Sequence, residues 1–264
     1  MLGKLMSKHQ GKFEDKVVVI TGAAGGIGTA LAEAFLSEGA KTVLVDSSEQ
    51  LLAQFGSNKD ETQNNPLLLQ VDLLKEGSAE KIINDSISRW GRIDILVNAI
   101  GVNVRKKIDA YTDSDFDRIY NINVKSIFHL CNSAATVMKP RNYGKIINFS
   151  SIQGAICWNG KGAFSLAPYC ASKSAVIAMT KAFALELAPY QINVNAICPA
   201  FVNTELVKPI RDDKVLYADI ISRTPLRRFA DPQEIVGPVF FLSSSESSFI
   251  TGHALMVDGG WTIE

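Results

Sequence analysis

The sequence is poor in everything that would tie it to a metal, a disulfide framework or a membrane. Its four cysteines, Cys131, Cys157, Cys170 and Cys198, form no C-x-x-C pair, and its three histidines stand far apart at positions 9, 129 and 253. No metal-ligand spacing results, and reduced thiols in a cytoplasmic protein are the simpler expectation. Eighteen apolar residues never run together, and residues 1–14, with Lys4, Lys8 and Lys12, lack the apolar core of a signal peptide. The expectation is therefore a mobile tail over 1–14 and no membrane partner. An excess of either charge is missing as well, since 27 Lys and Arg balance 27 Asp and Glu. No global field draws the protein to nucleic acid. Long linkers, low-complexity tracts and internal repeats are also absent, so residues 15–264 read as one domain.

What the chain does have is alternation. Short β-branched or Leu-rich runs at Lys16 to Ile20, Thr42 to Val45, Leu67 to Val71, Ile93 to Val97, Lys145 to Phe149, Ile192 to Ile197 and Ala254 to Val257 predict seven strands. Longer amphipathic stretches near 26–38, 76–89, 113–136, 169–188 and 231–243 predict helices between them. Runs that are apolar on both faces imply an α/β fold, a parallel sheet covered by helices on each side.

The first strand leads into Thr21-Gly22-Ala23-Ala24-Gly25-Gly26-Ile27-Gly28 and then a helical run. Glycines at such a turn let backbone approach a pyrophosphate, whose charge suits the free N–H groups of a helix start; an ordinary tight turn is the plainer alternative. Asp46, eighteen residues past Gly28 at the end of the second strand, could accept both hydroxyls of an adenosine ribose or could be a solvated loop acid. Farther on, Tyr169 and Lys173 lie four residues apart in an Ala-rich helical stretch and so share one face. An ammonium beside a phenol favours the phenolate and would bring the tyrosine toward acid/base work near neutral pH. A surface tyrosine with a solvated lysine is the alternative for that pair taken alone.

Together these motifs resemble the short-chain dehydrogenase/reductase family, from Lys16 to Gly260. The family's T-G-x-x-x-G-I-G stands intact at 21–28, its Y-x-x-x-K is Tyr169 and Lys173, and its adenine-contacting D-[LV] pair is Asp72-Leu73. The fourth-strand motif N-N-A-G is Asn98-Ala99-Ile100-Gly101, altered at its two central positions. Asn123 matches the family's catalytic asparagine, and the second serine of Phe149-Ser150-Ser151-Ile152 its catalytic serine. P-G-x-[VI]-x-T becomes Pro199-Ala200-Phe201-Val202-Asn203-Thr204, with Ala for Gly.

The resemblance implies a Rossmann-type doubly wound fold and an NAD-dependent oxidoreductase that interconverts a small-molecule secondary alcohol and a ketone. Its catalytic residues would be Asn123, Ser151, Tyr169 and Lys173. Cofactor contacts would come from Gly22, Gly25, Gly26, Ile27, Gly28, Asp46, Asp72, Leu73, Asn98, Ala99, Gly101, Tyr169, Lys173, Pro199, Val202 and Thr204, with no metal. Lys173 would lower the Tyr169 pKa and bind the nicotinamide ribose, and Asn123 would hold a relay water. A 3-oxoacyl-acyl-carrier-protein reductase using NAD(P)H and a non-catalytic dinucleotide-binding regulator are the rival readings. Ser151 and Tyr169 are farther apart than is common in the family, so the loop between them is enlarged; its Trp158 either borders the substrate or packs the loop onto the core. Residues 205–228 resemble a mobile lid, though the sequence alone allows fixed packing. The helices near 113–136 and 169–188 carry apolar residues, among them Ile119, Phe128, Ala178 and Leu187, beyond what one sheet face can bury. A homotetramer, at minimum a homodimer, follows from the resemblance.

Overall fold

The computed structural model describes residues 11–56 and 65–263. Seven strands, β1 (Val17–Thr21), β2 (Lys41–Asp46), β3 (Leu67–Gln70), β4 (Ile95–Asn98), β5 (Gly144–Phe149), β6 (Ile192–Pro199) and β7 (Ala254–Val257), form one sheet in the order β3-β2-β1-β4-β5-β6-β7. Every neighbouring pair is parallel. The helices are α1 (Gly26–Ser37), α2 (Gln50–Phe55), α3 (Ser78–Trp90), α4 (Asp113–Tyr120), α5 (Ser126–Met138), α6 (Ala167–Leu187), α7 (Lys208–Arg211), α8 (Lys214–Arg223) and α9 (Gln233–Ser243). The seven strands expected from the sequence are all present, with no end shifted by more than two residues.

Successive strand residues serve opposite cores, as the two-residue period of a strand requires. Val17 and Val19 of β1 join Ile82 of α3, Leu130 of α5 and Val176 of α6. Val18 and Ile20 join Leu31 and Phe35 of α1 and Ile235 and Val239 of α9 on the other face. Each such aliphatic side chain removed from water contributes roughly 1.5–3 kcal/mol. The strand order reverses between β1 and β4, where Thr21 pairs with Asn98, so the crevice beyond their carboxyl ends is the place this topology offers a ligand.

Three expectations change. The stretch near 113–136 is not one helix, because a π-helical turn over Asn121–Lys125 separates α4 from α5. Residues 205–228 hold α7 and α8, and Ile210, Leu216 and Ile220 are buried with Trp158 and Trp261 in a third apolar cluster, so this segment is docked. Residues 1–10 of the expected tail lie outside the described residues, but Phe13 is 2% exposed and belongs to the core. Its ring meets Phe35 and Phe240 at centroid distances of 4.8 and 4.7 Å, edge-on, where aromatic quadrupoles attract. Phe13→Ala should therefore lower the unfolding free energy by about 3 kcal/mol, read from urea denaturation; a change within about 0.5 kcal/mol would mean that this segment detaches without cost.

Candidate active site

The turn between β1 and α1 is shaped by backbone against backbone. Gly22 takes φ +71°, and a Cβ there would meet Ala99 O at 3.0 Å; a Cβ on Gly28 would fall 1.9 Å from Gly22 O. Gly25 is the N-cap of α1 and supplies no side-chain cap, and the first turn carries no acid. The leading N–H groups of α1 thus have neither a cap nor a carboxylate of their own, the arrangement that receives a phosphate. On one side of this turn a cavity of about 50 Å³ is lined by Gly22, Asp46, Asp72 and Leu73 among others. The Asp46 carboxylate is fixed there by the N–H groups of Ala24 at 3.1 Å and Ser48 at 2.9 Å, and Asp72 accepts from Leu74 N at 3.0 Å. On the other side Ile27, Ala99, Gly101, Ser151, Tyr169, Lys173, Pro199, Val202 and Thr204 line a cavity of about 110 Å³. Gly26 faces Thr204, whose Cγ2 a Cβ would reach at 2.7 Å. This cradle, two cavities flanking an uncapped helix start, fits a dinucleotide.

Asn98 is brought elsewhere. It is fully buried, and its Nδ2 donates to Asn148 Oδ1 at 2.9 Å while Asn148 donates to Thr180 Oγ1 at 3.0 Å. Its side chain joins β4, β5 and α6 inside the core instead of reaching the crevice, with Nδ2 paired there and Oδ1 buried without a partner.

Lys173 is 3% exposed, and its Nζ donates to Phe149 O at 2.8 Å, 5.8 Å from the Tyr169 ring centre. Burial pulls its amine down to about 8. The expected lowering of Tyr169 by Lys173 is not what the structure shows: burial raises the phenol above its ordinary value, and the Ser151 hydroxyl and the Arg105 guanidinium oppose that rise. The ammonium is turned to a strand-end carbonyl. Asn123, in the middle of the π-helical turn, accepts from Val102 N at 2.8 Å and donates to Val102 O at 2.9 Å and Ser172 Oγ at 3.1 Å. Both amide protons are thereby used to hold the segment after β4 and the start of α6. Ser151 Oγ accepts from Gln153 N at 3.2 Å and lies 3.5 Å from Pro199 O, so its proton is weakly held.

A further cavity of about 80 Å³ adjoins the same two groups, Ser151 and Tyr169, and is walled by Asn103, Arg105, Gln153, Trp158, Leu206 and Val207 among others. Trp158 lines this cavity, and it also packs the loop inward, its Nε1 donating to the buried Asp219 of α8 at 2.9 Å. Asn103, Arg105 and Gln153 escaped the motif reading. Their signal is local: residues 101–105 run outside any helix, where 103 and 105 share a side, and Gln153 follows Ser151 by two. The largest hollow, about 540 Å³, runs from Leu73 along the start of α3 to His129 and touches none of the catalytic candidates. No group of three or more metal-ligating side chains occurs among the described residues.

A family model described as enoyl-(acyl carrier protein) reductase matches residues 22–262. The chain belongs to the short-chain dehydrogenase/reductase family. Among relatives in the family, an NAD-dependent glycerol dehydrogenase of Listeria innocua is 39% identical over 254 residues, covering 95% of this chain and 95% of that protein. A 3-oxoacyl-acyl-carrier-protein reductase of Thermotoga maritima is 34% identical over 257 residues, covering 96% and 100%. A solved gluconate 5-dehydrogenase of Burkholderia cenocepacia, in complex with NADP and tartrate, has a TM-score of 0.87 at 31% identity, covering 96% of this chain and 97% of its own. As a short-chain dehydrogenase/reductase, the chain is an oxidoreductase that uses a dinucleotide. No helix among its described residues is long and apolar enough to cross a membrane.

Proposed function

We propose that this protein is an NAD(H)-dependent, cytoplasmic oxidoreductase interconverting a small secondary alcohol and its ketone. The observation that carries this reading is that Ser151 and Tyr169 line two cavities at once, the 110 Å³ cavity beside the glycine turn and the 80 Å³ cavity beyond it. A group in the second can meet both hydroxyls while facing the first. A nicotinamide dinucleotide, when bound, supplies or accepts the hydride, and the rest of the chemistry is proton management and positioning by the chain. Tyr169 takes the proton from the carbinol oxygen in oxidation and returns it in reduction. Its phenol starts high, so the pull of Arg105 and Ser151 on the phenolate, which burial opposes, governs how readily it works. Ser151 turns its loosely held proton to the same oxygen and polarises it. Lys173, whose Nζ would stand 3.1 Å from a Cβ on Gly101, would bind the nicotinamide ribose hydroxyls with its remaining ammonium protons. Asn123 fixes Val102 and Ser172, and the free lone pair on its Oδ1 is left for a relay water.

The preference for NAD rests on Asp46. Two acids, Asp46 and Asp72, line the 50 Å³ cavity, and Lys41 at the start of β2 is drawn to Asp15 at 2.9 Å. A ribose 2′-hydroxyl donates to a carboxylate, whereas a 2′-phosphate repels it; unit charges about 4 Å apart at an effective dielectric near 20 oppose each other by roughly 4 kcal/mol.

The assembly is a homotetramer, at minimum a homodimer. Ile119 and Leu187 are buried in the chain's own core, but Phe128 of α5 is 47% exposed and Leu185 of α6 is 81% exposed. These outward apolar groups support pairing through α5 and α6. A stable monomer of 28.7 kDa in light scattering at micromolar concentration would dispose of that assembly.

Two kinetic outcomes test the active-site reading. Tyr169→Phe should keep NADH affinity within a few-fold and lower turnover by about 10² to 10⁴, and wild-type-like turnover would remove Tyr169 from proton transfer. The wild type should prefer NAD to NADP by at least about 10² in kcat/KM, with Asp46→Ala losing much of that preference through weaker NAD binding. Equal use of both cofactors by the wild type would show that Asp46 does not meet the ribose.

A further inference from the structure

The 80 Å³ cavity beside Tyr169 and Ser151 holds more unanswered polarity than an apolar ketone would require. Three of its lining side chains keep a buried polar atom without a hydrogen-bond partner: Asn103 Oδ1, Arg105 Nε and Gln153 Nε2. The protein itself fixes the sense of the Gln153 amide, whose Oε1 accepts from Trp158 N at 3.0 Å, leaving its Nε2 as a donor without an acceptor. Gln153 is 5% exposed, so bulk water does not answer it. Buried polar groups in folded proteins are nearly always paired, and three unpaired around one small space mark the outline of something absent.

Arg105 is the charged member of the three. It opens a run of three cations, Arg105-Lys106-Lys107, whose other two members are accounted for. Lys106 pairs with Asp115 at 2.7 Å and Lys107 donates to Gly162 O at 2.6 Å. Arg105 has only Leu206 O, at 3.3 Å from Nη1, and pairs with no carboxylate. No aspartate or glutamate lines either this cavity or the one beyond Tyr169. A desolvated guanidinium without a counter-charge is a poor end state, and its flat fork matches a carboxylate.

The backbone that carries Arg105 is clamped on both sides. The single proton of Tyr111 OH is shared between Val104 O at 2.5 Å and Ser165 O at 2.9 Å, and Ser165 N donates to Lys106 O at 2.7 Å within an isolated antiparallel bridge. These bonds tie the segment after β4 to the enlarged loop between Ser151 and Tyr169. The backbone from which Arg105 projects is thus fixed before a ligand arrives, which lowers the ordering cost of binding.

We propose that the substrate is a small hydroxy acid, or the matching keto acid, whose carboxylate pairs with Arg105 and whose hydroxyls meet Asn103 and Gln153. A hydroxyl both donates and accepts, so it suits the lone acceptor of Asn103 and the lone donor of Gln153 alike. A ketone without further polar groups would leave all three unanswered, and a neutral hydroxy-ketone would leave Arg105 without a counter-charge. Trp158, Val207 and Ile210 give the cavity an apolar wall against which the carbon chain of such an acid can lie. This inference rests on the oxidoreductase reading above and adds the substrate class to it.

The test is reduction of four- to six-carbon 2-, 3-, 4- and 5-oxo acids, each beside its methyl ester, by the full-length wild type, Arg105→Gln and Arg105→Lys. Both NADH and NADPH are offered, so that a mistaken cofactor preference does not mask the result. At least one acid should exceed its ester by about 10² or more in kcat/KM, the scale on which sites built for a polar group reject its absence. Arg105→Gln should bring that ratio below about 10, chiefly through KM, and Arg105→Lys should keep part of it. A purely structural Arg105, holding Leu206 in place, would slow acid and ester alike and leave the ratio standing. That result, or esters equal to acids throughout, overturns the proposal while leaving the enzyme reading intact. No turnover of any pair by wild type that binds NADH overturns this proposal and leaves the enzyme reading to stand on other alcohols and ketones.

Discussion

A primary ammonium taken out of water must be answered by oxygen, and in this protein that demand, at Lys173, organises the cleft. Its Nζ reaches the carbonyl at the end of β5, and its own carbonyl receives the hydroxyl of Ser150, the next residue along. The first turns of α6 are pressed so tightly on this strand end that a Cβ on Gly154 would stand 2.8 Å from the Lys173 backbone. Ser151 and Tyr169 face each other because of this docking: one follows Ser150 directly, and the other lies one helical turn before Lys173. A methionine at 173 would remove the side-chain bond to Phe149 O and leave α6 tied to this strand end through the Ser150 hydroxyl alone, so the lysine helps hold the site together whatever else it does in catalysis.

Around that anchor the carboxyl edge of the sheet is divided by kind of ligand. Acids at the ends of β2 and β3 line the side away from the tyrosine; the glycine turn and uncapped helix start occupy the middle; a cationic, acid-free space lies beyond Ser151 and Tyr169. The polar chain from Asn98 through Asn148 to Thr180 runs beneath, inside the core, and ties β4 and β5 to α6 where the reacting groups need a fixed floor. Positioning is therefore mostly internal, and little of it depends on the exposed helices around the rim.

The strands were legible because a strand buried on both faces writes itself as an unbroken apolar run, as Val17–Ile20 and Ile146–Ile147 do. The glycine turn and the Tyr169–Lys173 pair were legible because their spacing is the chemistry. Other features depend on which partner a side chain meets, and spacing does not say that. Asn98 sits in a recognisable motif yet points into the core, and Lys173 stands one turn from Tyr169 yet bonds to Phe149. Arg105 is unremarkable until Lys106 is seen spent on Asp115 and Lys107 on Gly162. Phe13 was missed for another reason: one aromatic residue among Lys, Glu and Asp carries no periodicity, and only the rings of Phe35 and Phe240 give it a place.

The π-helical turn at Asn121–Lys125 also has a bearing on helical phase. An α-helix advances about 100° per residue, so an extra residue would rotate everything after it by that amount unless a wider turn absorbs it, as the π-helical turn does here. Ile119 in α4 and Ile127 in α5 are both fully buried, although eight positions apart across the irregular turn. Between them Asn123 is turned inward to Val102 and Ser172, with no hydrophobic position surrendered to admit it. Deleting a single residue from this turn would regularise the helix and keep its two halves in step, seven residues and about 700° apart, but would take away the widened turn that directs Asn123 to Val102 and Ser172. The irregularity is what lets one rod carry both an inward asparagine and a continuous apolar stripe.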